Sequence, residues 1–378
     1  MLIIIKLRNF LLNIIIKLFN FANKYVNSPF LVKIKTLIES LKADLIYISE
    51  GKDWVIYTIG NYIVNNLKKS NSINAIIGSP FYVKNKIIHF GTINLLLTDR
   101  GLTRLHPSNT YILTWFHIVP GDNRLKYIPI INQKIDKIHT SSKITKEKLI
   151  ELGFDEKKVV CIPLGVDSTH FNKYPKEKII EIKKKYNIPQ DKFIIGSFQK
   201  DGVGWGEGNE PKMVKGPDIL CKVLSKLDNE LDIHVLLAGP SRGYVKNQLK
   251  KYGVAYSHVF MKEYLKIVDL YNILDLYLIT SRTEGGPMSI LEAMASGIPV
   301  ISTRVGMAEE IITNGFNGYI IEVEDVEQIF NYSKKILQNN SLRRKLSENA
   351  TSIVKNYDWK YIAQRYFLDI YKEYLGKI

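Results

Sequence analysis

Two carboxylates, Glu284 and Glu292, have seven residues between them, beginning with the run Gly285-Gly286-Pro287-Met288. An apolar stretch at 276–280 precedes them and reads as a strand. Residues 288–296 read as a helix, stopped by Gly297 with Pro299 just beyond. Two glycines at a strand-to-helix turn let the backbone approach a ligand closely. Unpaired amides at the start of a helix point at such a ligand and favour negative charge, so a diphosphate is the natural occupant. Pro287 has no N–H and contributes backbone shape alone. Carboxylates on either side of the helix start suit vicinal hydroxyls, as on a sugar or a ribose. On spacing alone, a generic α/β loop followed by an exposed glutamate is the competing reading.

The elements around this loop repeat a strand–helix alternation. Strands are expected at 44–48, 73–77, 87–90, 111–115 and 136–140, with helices at 54–67 and 143–152, the second capped by Ser141. Pro163 to Asp167 breaks the periodicity, and the charged stretch 173–185 reads as the interdomain link. The alternation then restarts. Strands are expected at 193–196, 233–238, 258–260, 276–280, 300–302 and 319–321, with helices at 216–227, 263–273 and 288–296 between them. Two series of strand–helix units imply two parallel sheets covered on both faces. The expected division is a basic segment at 1–38, a first domain at 39–172, a second at 173–356, and a terminal helix at 357–378 rich in Trp, Tyr and Phe. His117 ends a strand ahead of the Pro120-Gly121-Asp122 break, where α/β ligand crevices form. A lone histidine there is otherwise most often structural. Gly51, in the turn after the first strand, has room for a phosphate or an acceptor.

With 378 residues, 46% of them apolar and 24% charged, the chain can bury two ordinary globular cores. Cys161 and Cys221 have no metal-type spacing, which points to a reducing compartment without a disulfide framework. The formal charge of +16 fits either attraction to an anionic partner or a lysine-rich solvated surface. Residues 1–38 hold six basic side chains and no acidic one. Lys6, Lys17 and Lys24 share a narrow helical face with Asn9, Asn13 and Asn20, and apolar residues fill the rest. Charges interrupt the apolar stretch too often for a spanning helix, and a signal peptide fits poorly. Two readings stand for residues 1–24: a helix lying on an anionic membrane, or one docked on the protein's own core.

The segment 281–297 resembles the glutamate–seven residues–glutamate motif of GT-B glycosyltransferases, glycosyltransferase family 4 in particular. Further segments match in the same order: His139 to Gly153, Ile162 to Phe171, Ile195 to Lys200, Lys215-Gly216, and the terminal helix from Tyr357-Asp358-Trp359. The resemblance covers nearly all of residues 136–375. It implies a GT-B fold, with two Rossmann-like parallel-sheet domains facing a central cleft and a C-terminal helix crossing back to the first. It gives Glu284 to the donor sugar, Glu292 to the ribose, and the stretch Gly285, Gly286, Pro287 and Met288 to the diphosphate. Lys200 and Lys215 take the place of the basic pair that grips the donor phosphates, and His117 that of a histidine touching the donor sugar. Lysine at 200 replaces the usual arginine, keeping the charge without the bidentate fork. Residues 201–214 form a long Gly-rich insertion, and the fuller glycine-rich loop expected near Gly51 is absent.

No Asp-x-Asp triplet, Walker-type loop or hydrolase-type nucleophile arrangement is present. Phosphate charge then falls to Lys200, Lys215 and the helix start, with no metal site and no cofactor beyond the donor, a UDP- or GDP-sugar. The expected function is a retaining, metal-independent hexosyl transfer to a hydroxyl on a glycan or lipid-linked acceptor. A cytoplasmic location is expected, peripheral on the inner membrane face if residues 1–24 bind lipid, with no specific nucleic-acid partner. The rivals are a GT-B epimerase or hydrolase of nucleotide sugars, and a basic nucleic-acid or anionic-lipid binding protein.

Overall fold

A computed structural model of the chain describes residues 29–51, 55–70, 72–80, 83–99, 101–119 and 121–376, with side chains from residue 35 onward. The amphipathic segment expected at 1–24 and the helix start expected at Trp54 lie outside these residues.

Two six-stranded sheets, each entirely parallel, form the scaffold. The first contains β1 (Leu45–Ile48), β2 (Ala75–Ile77), β3 (Ile87–Phe90), β4 (Thr110–Thr114), β5 (Lys137–Thr140) and β6 (Val159–Cys161), in the order β2-β1-β3-β4-β5-β6. The second contains β7 (Phe193–Ser197), β8 (Ile233–Ala238), β9 (Tyr256–Val259), β10 (Leu276–Ile279), β11 (Val300–Thr303) and β12 (Tyr319–Ile321), in the order β9-β8-β7-β10-β11-β12. Strands such as Leu-Ile-Tyr-Ile in β1 and Leu-Tyr-Leu-Ile in β10 are buried at every position, as a sheet covered on both faces requires. The helices supply the covers. Helix α1 (Pro29–Lys42) leads into β1, and α2 (Val55–Lys69) buries Ile56, Ile59, Ile63, Val64 and Leu67 at three- and four-residue spacing.

In the second sheet the strand order reverses between β7 and β10. An open parallel sheet binds ligands beyond the carboxyl ends of its strands at such a switch point. The loops after β7 and β10 carry Lys200, Lys215 and Glu284. The first sheet reverses between β1 and β3, which puts Gly51 beyond the end of β1.

Four local features differ from, or add to, the elements expected from sequence. Ser142, not Ser141, caps α3 (Lys143–Glu151), accepting the Thr145 amide, while the Ser141 hydroxyl is buried and faces the second domain. The charged stretch expected as a link folds over Lys176–Lys185 as helix α4. Helix α1 runs through the boundary expected at residue 38. The helix expected at 263–273 begins as a 3-10 turn, Tyr264–Lys266, and turns α-helical over Ile267–Tyr271.

The terminal helix crosses back to the first domain. Trp359 stacks on Tyr62 of α2 with ring centroids 5.3 Å apart, and Val166 and residues 357–359 exchange backbone hydrogen bonds. Beneath it runs a hydrogen-bonded chain whose polarity one set of tautomers satisfies. The Tyr371 hydroxyl donates to His89 Nδ1 (2.6 Å) and His89 Nε2–H to Thr114 Oγ1 (2.8 Å). The Thr114 hydroxyl donates to His139 Nδ1 (3.0 Å) and His139 Nε2–H to the Ile162 carbonyl (2.9 Å). Both imidazoles are fully buried. Burial holds His89 well below its usual range and His139 down to about 4, so each stays neutral.

In an unfolded chain these imidazoles would protonate near pH 6.5. Their contribution to stability is therefore complete above about 6.5 and declines as pH falls toward about 4. Asp201, pushed up to about 6 by burial, acts in the opposite direction over part of that range. The imidazoles themselves are the clean readout. Side-chain NMR is expected to find His89 and His139 neutral and unchanged between pH 8 and 5; titration of either near 6.5 would contradict the network.

Candidate active site

The site is built where the two switch-point loops press together. The chain leaves β7 through Phe198-Gln199-Lys200, traverses the insertion, and returns as a one-turn 3-10 helix, Met213–Lys215. Gly216 follows with φ 60°, and a Cβ there would strike the Thr280 carbonyl, so the left-handed turn and the close approach both require glycine. Helix α5 (Pro217–Asp228) starts immediately, with Pro217 in its first turn. The Arg282 and Thr283 amides donate to the Val214 carbonyl (2.9 and 3.2 Å), and Gln199 Nε2 donates to the Lys215 carbonyl (3.1 Å).

This stitching brings Lys215 Nζ to 2.5 Å from Glu284 Oε1, while the Ser281 hydroxyl donates to the same oxygen at 2.8 Å. The residues assigned separately to phosphate and sugar are thus in direct contact. Arg282 is occupied elsewhere, forked onto Asp218 (2.9 Å twice) and joined to Glu324 (2.7 Å).

Helix α6 (Met288–Ala295) follows, with Pro287 at its N-cap. The glycines before it also have close neighbours in the first domain. A Cβ on Gly285 would lie 2.5 Å from the Phe116 carbonyl, and one on Gly286 2.8 Å from Ser141 Oγ and 2.9 Å from Leu164. On the Cβ side both glycines lie close against the first domain. Glu292 is 3% exposed and projects from α6 between two phenols. Tyr264 and Tyr271 donate to its two oxygens, the latter at 2.8 Å. Burial raises its pKa, and the two phenolic hydrogen bonds work against that rise. An exposed glutamate is therefore excluded; this carboxylate is held in a polar pocket.

From the first domain, His117 follows β4 and lines a small cleft with Thr283, Glu284, Arg304 and Gly306. Partial burial lowers its pKa; Glu284 opposes that, and Lys215 reinforces it. A neutral imidazole thus faces the Lys215–Glu284 pair across the cleft. Lys200 does not join the pair, its ammonium lying over the Trp205 ring at 3.8 Å. Gly51 is exposed in the turn beyond β1.

Several contacts escaped the sequence reading. Glu310 of the second domain accepts the Lys143 amide at 2.5 Å, capping α3 of the first domain across the cleft. Tyr264, Tyr271 and Ser281 position the two glutamates. Among the described residues, no group of three or more His, Cys, Asp or Glu is placed to hold a metal ion, and no helix is long and apolar enough to cross a membrane.

Residues 210–353, which carry Lys215, Glu284 and Glu292, match the family described as Glycosyl transferases group 1. This segment is a glycosyl transferases group 1 domain. The chain is 28% identical over 186 residues to N-acetyl-alpha-D-glucosaminyl L-malate synthase of Bacillus anthracis, covering 48% of this chain and 45% of that one. It is 30% identical over 173 residues to the lipopolysaccharide core biosynthesis mannosyltransferase LpsB of Rhizobium meliloti, covering 43% and 46%. The chain thus spans just under half the length of these two curated relatives. The fold matches Anabaena Alr3699/HepE, solved in complex with UDP-glucose, with a TM-score of 0.70, 16% identity and coverage of 87% and 99%. The architecture is GT-B, and the group 1 domain forms most of its second half.

Proposed function

We propose that the protein is a retaining, metal-independent glycosyltransferase that moves a hexose-type sugar from a UDP- or GDP-sugar to a hydroxyl acceptor. The observation that carries this reading is the Lys215–Glu284 contact at the switch point, beside the start of α6 and opposite His117. It puts a cation for phosphate and an acceptor group for sugar hydroxyls within one ligand's length of each other.

The nucleotide lies on the group 1 domain, its diphosphate against Lys215 and the start of α6, where Gly285 to Met288 present the turn and the first amides. The ribose hydroxyls reach Glu292 and displace the phenol of Tyr264, the more exposed of its two partners. Glu284 accepts hydrogen bonds from the sugar, and His117, neutral, donates to it from the first domain. The acceptor hydroxyl enters beside His117. Its oxygen bonds to the anomeric carbon on the face from which the bond to phosphate oxygen breaks, and its proton passes to the departing phosphate. Lys215 and Lys200 stabilise the charge that develops there.

A glycan or lipid-linked acceptor suits the basic character of the chain, as does a cytoplasmic location with residues 1–24 against an anionic membrane. The test is a panel of UDP- and GDP-sugars with candidate acceptors, with donor loss and product linkage followed by NMR. Acceptor-dependent consumption of one donor, with the anomeric configuration kept, is expected. Donor loss without acceptor would instead make the protein a nucleotide-sugar hydrolase or epimerase.

A further inference from the structure

The His117 imidazole has no hydrogen-bond partner among the described residues, so the ring stands where its backbone puts it. That backbone is held on three sides. The Trp115 indole donates to the His117 carbonyl (3.2 Å), and the Thr145 hydroxyl donates to the Phe116 carbonyl (3.2 Å). Gly285 of the second domain presses on the same Phe116 carbonyl, which a Cβ there would approach to 2.5 Å.

Thr145 is ordered by the start of α3. It is 4% exposed, and its amide donates to Ser142 Oγ (3.2 Å), the helix cap. The Ser142 hydroxyl donates in turn to Thr145 Oγ1 (2.9 Å), so the Thr145 proton is left for Phe116. A helical threonine can turn its hydroxyl onto a carbonyl three or four residues back; this one reaches across to the loop after β4 instead. The same helix start is capped from the other domain. Glu310, on the short helix Ala308–Ile311, accepts the Lys143 amide through Oε1 (2.5 Å), and its own carbonyl accepts the Tyr357 hydroxyl (2.5 Å). A carboxylate there satisfies an amide that has no intrahelical partner. Two hydrogen bonds and one helical turn thus lead from the second domain to the residue before His117, whose ring lines the cleft with Glu284.

We propose that Thr145 and Glu310 are positioning residues for His117. Contact between the domains sets the first turn of α3, and Thr145 passes that setting to the Phe116–His117 peptide. The inference rests on the functional reading above, in which His117 meets the donor sugar, and deepens it by making the sugar subsite depend on domain contact.

Donor turnover by single and double variants tests it, with kcat and KM separated and slow variants followed in single turnovers at excess enzyme. Thr145→Val keeps the branched shape without the hydroxyl. It is expected to lower kcat about tenfold, inside the roughly hundredfold that an ångström of misplacement can cost. Its affinity for the nucleoside diphosphate should stay within twofold of wild type, because that part of the donor lies on the second domain. Thr145→Ser is expected to recover most of the rate. Glu310→Ala should lower kcat severalfold, and Glu310→Gln, which keeps an oxygen for the Lys143 amide, less than twofold. The deciding background is His117→Ala, where Thr145→Val should cost less than twofold because the group it positions is gone. Glu310→Ala, at a half-buried position, carries the same cross if Thr145→Val does not fold. A full loss persisting in His117→Ala, or Thr145→Val within twofold of wild type, would overturn the inference and leave the functional reading standing. Wild type that consumes no donor would overturn both.

Discussion

Lys215→Ala is expected to lower donor turnover by about 10²- to 10³-fold, the cost found when one preorganised charge-stabilising donor is lost from an enzyme site. Two effects combine. The ammonium proposed to meet the departing phosphate is gone. Glu284, which accepts from Lys215 at 2.5 Å and from Ser281 at 2.8 Å, also loses its cation and presents an uncompensated carboxylate to an anionic substrate. Lys215→Arg keeps the charge but not the compact head that fits between Glu284 and the Gly216 turn, so partial recovery is expected. Initial rates under saturating acceptor, with KM and kcat separated, give the comparison. The loss belongs mainly in kcat, because the charge is fully developed only as the bond to phosphate breaks. A Lys215→Ala enzyme within threefold of wild type would detach this lysine from the chemistry.

The second large effect is structural. Arg242 is 1% exposed and binds the ends of β7 and β8 together, donating to the carbonyls of Ser197 (2.6 Å), Gln199 (2.8 Å) and Ala238 (2.9 Å). Its counter-charge is Asp201, fully buried, whose pKa burial pushes up to about 6 while Arg242 pulls it down. Asp201→Ala leaves a guanidinium uncompensated in the interior, a change that costs about 3–5 kcal/mol. For a domain of this size the melting temperature should fall by roughly 10 °C. Asp201→Leu combined with Arg242→Met removes both charges and should recover part of the loss. Thermal unfolding of the single and double variants decides it. A single variant melting within 2 °C of wild type would mean that the pair does not hold the loop. Because Gln199 and Lys200 hang from the same carbonyl cluster, donor affinity should fall with stability in Asp201→Ala.

How much of this was legible beforehand depended on how local the determining contacts are. The strand–Gly-Gly–helix unit around Glu284 could be read because its apolar runs, its glycines and its Gly-x-Pro stop all lie within a short stretch of chain. The two parallel sheets followed from the alternation in the same way. The partners of Glu292 could not be read, since Tyr264 and Tyr271 reach it from another helical segment, and an apolar helix face gives no hint that it buries a carboxylate. Nor could the cap that Glu310 places on α3, a contact between residues 167 apart. Helix α4 was hidden by composition: only Ile179, Ile180 and Ile182 interrupt its charges, and Ile182 alone is buried. Ser141 and Ser142 differ by one position, and only the backbone decides which hydroxyl faces the helix amides. The closeness of Phe116, Ser141 and Leu164 of the first domain to Gly285 and Gly286 was not legible, because those residues lie far away in the chain.

With Gly285 and Gly286 against the first domain and Glu310 capping α3, the two halves meet at the edge of the proposed donor site. His117 and Glu284 line the same cleft beside those contacts. A side chain at Gly285 would strike the Phe116 carbonyl, one residue before His117.

The most direct test of the central claim is nucleotide-sugar turnover by wild type and Lys215→Ala, side by side, across the UDP- and GDP-sugar panel. Wild type should consume one donor in an acceptor-dependent way, with Lys215→Ala slower on that same donor by about two orders of magnitude or more. Equal rates for the two proteins, or no donor consumed by wild type with any acceptor, would contradict the account.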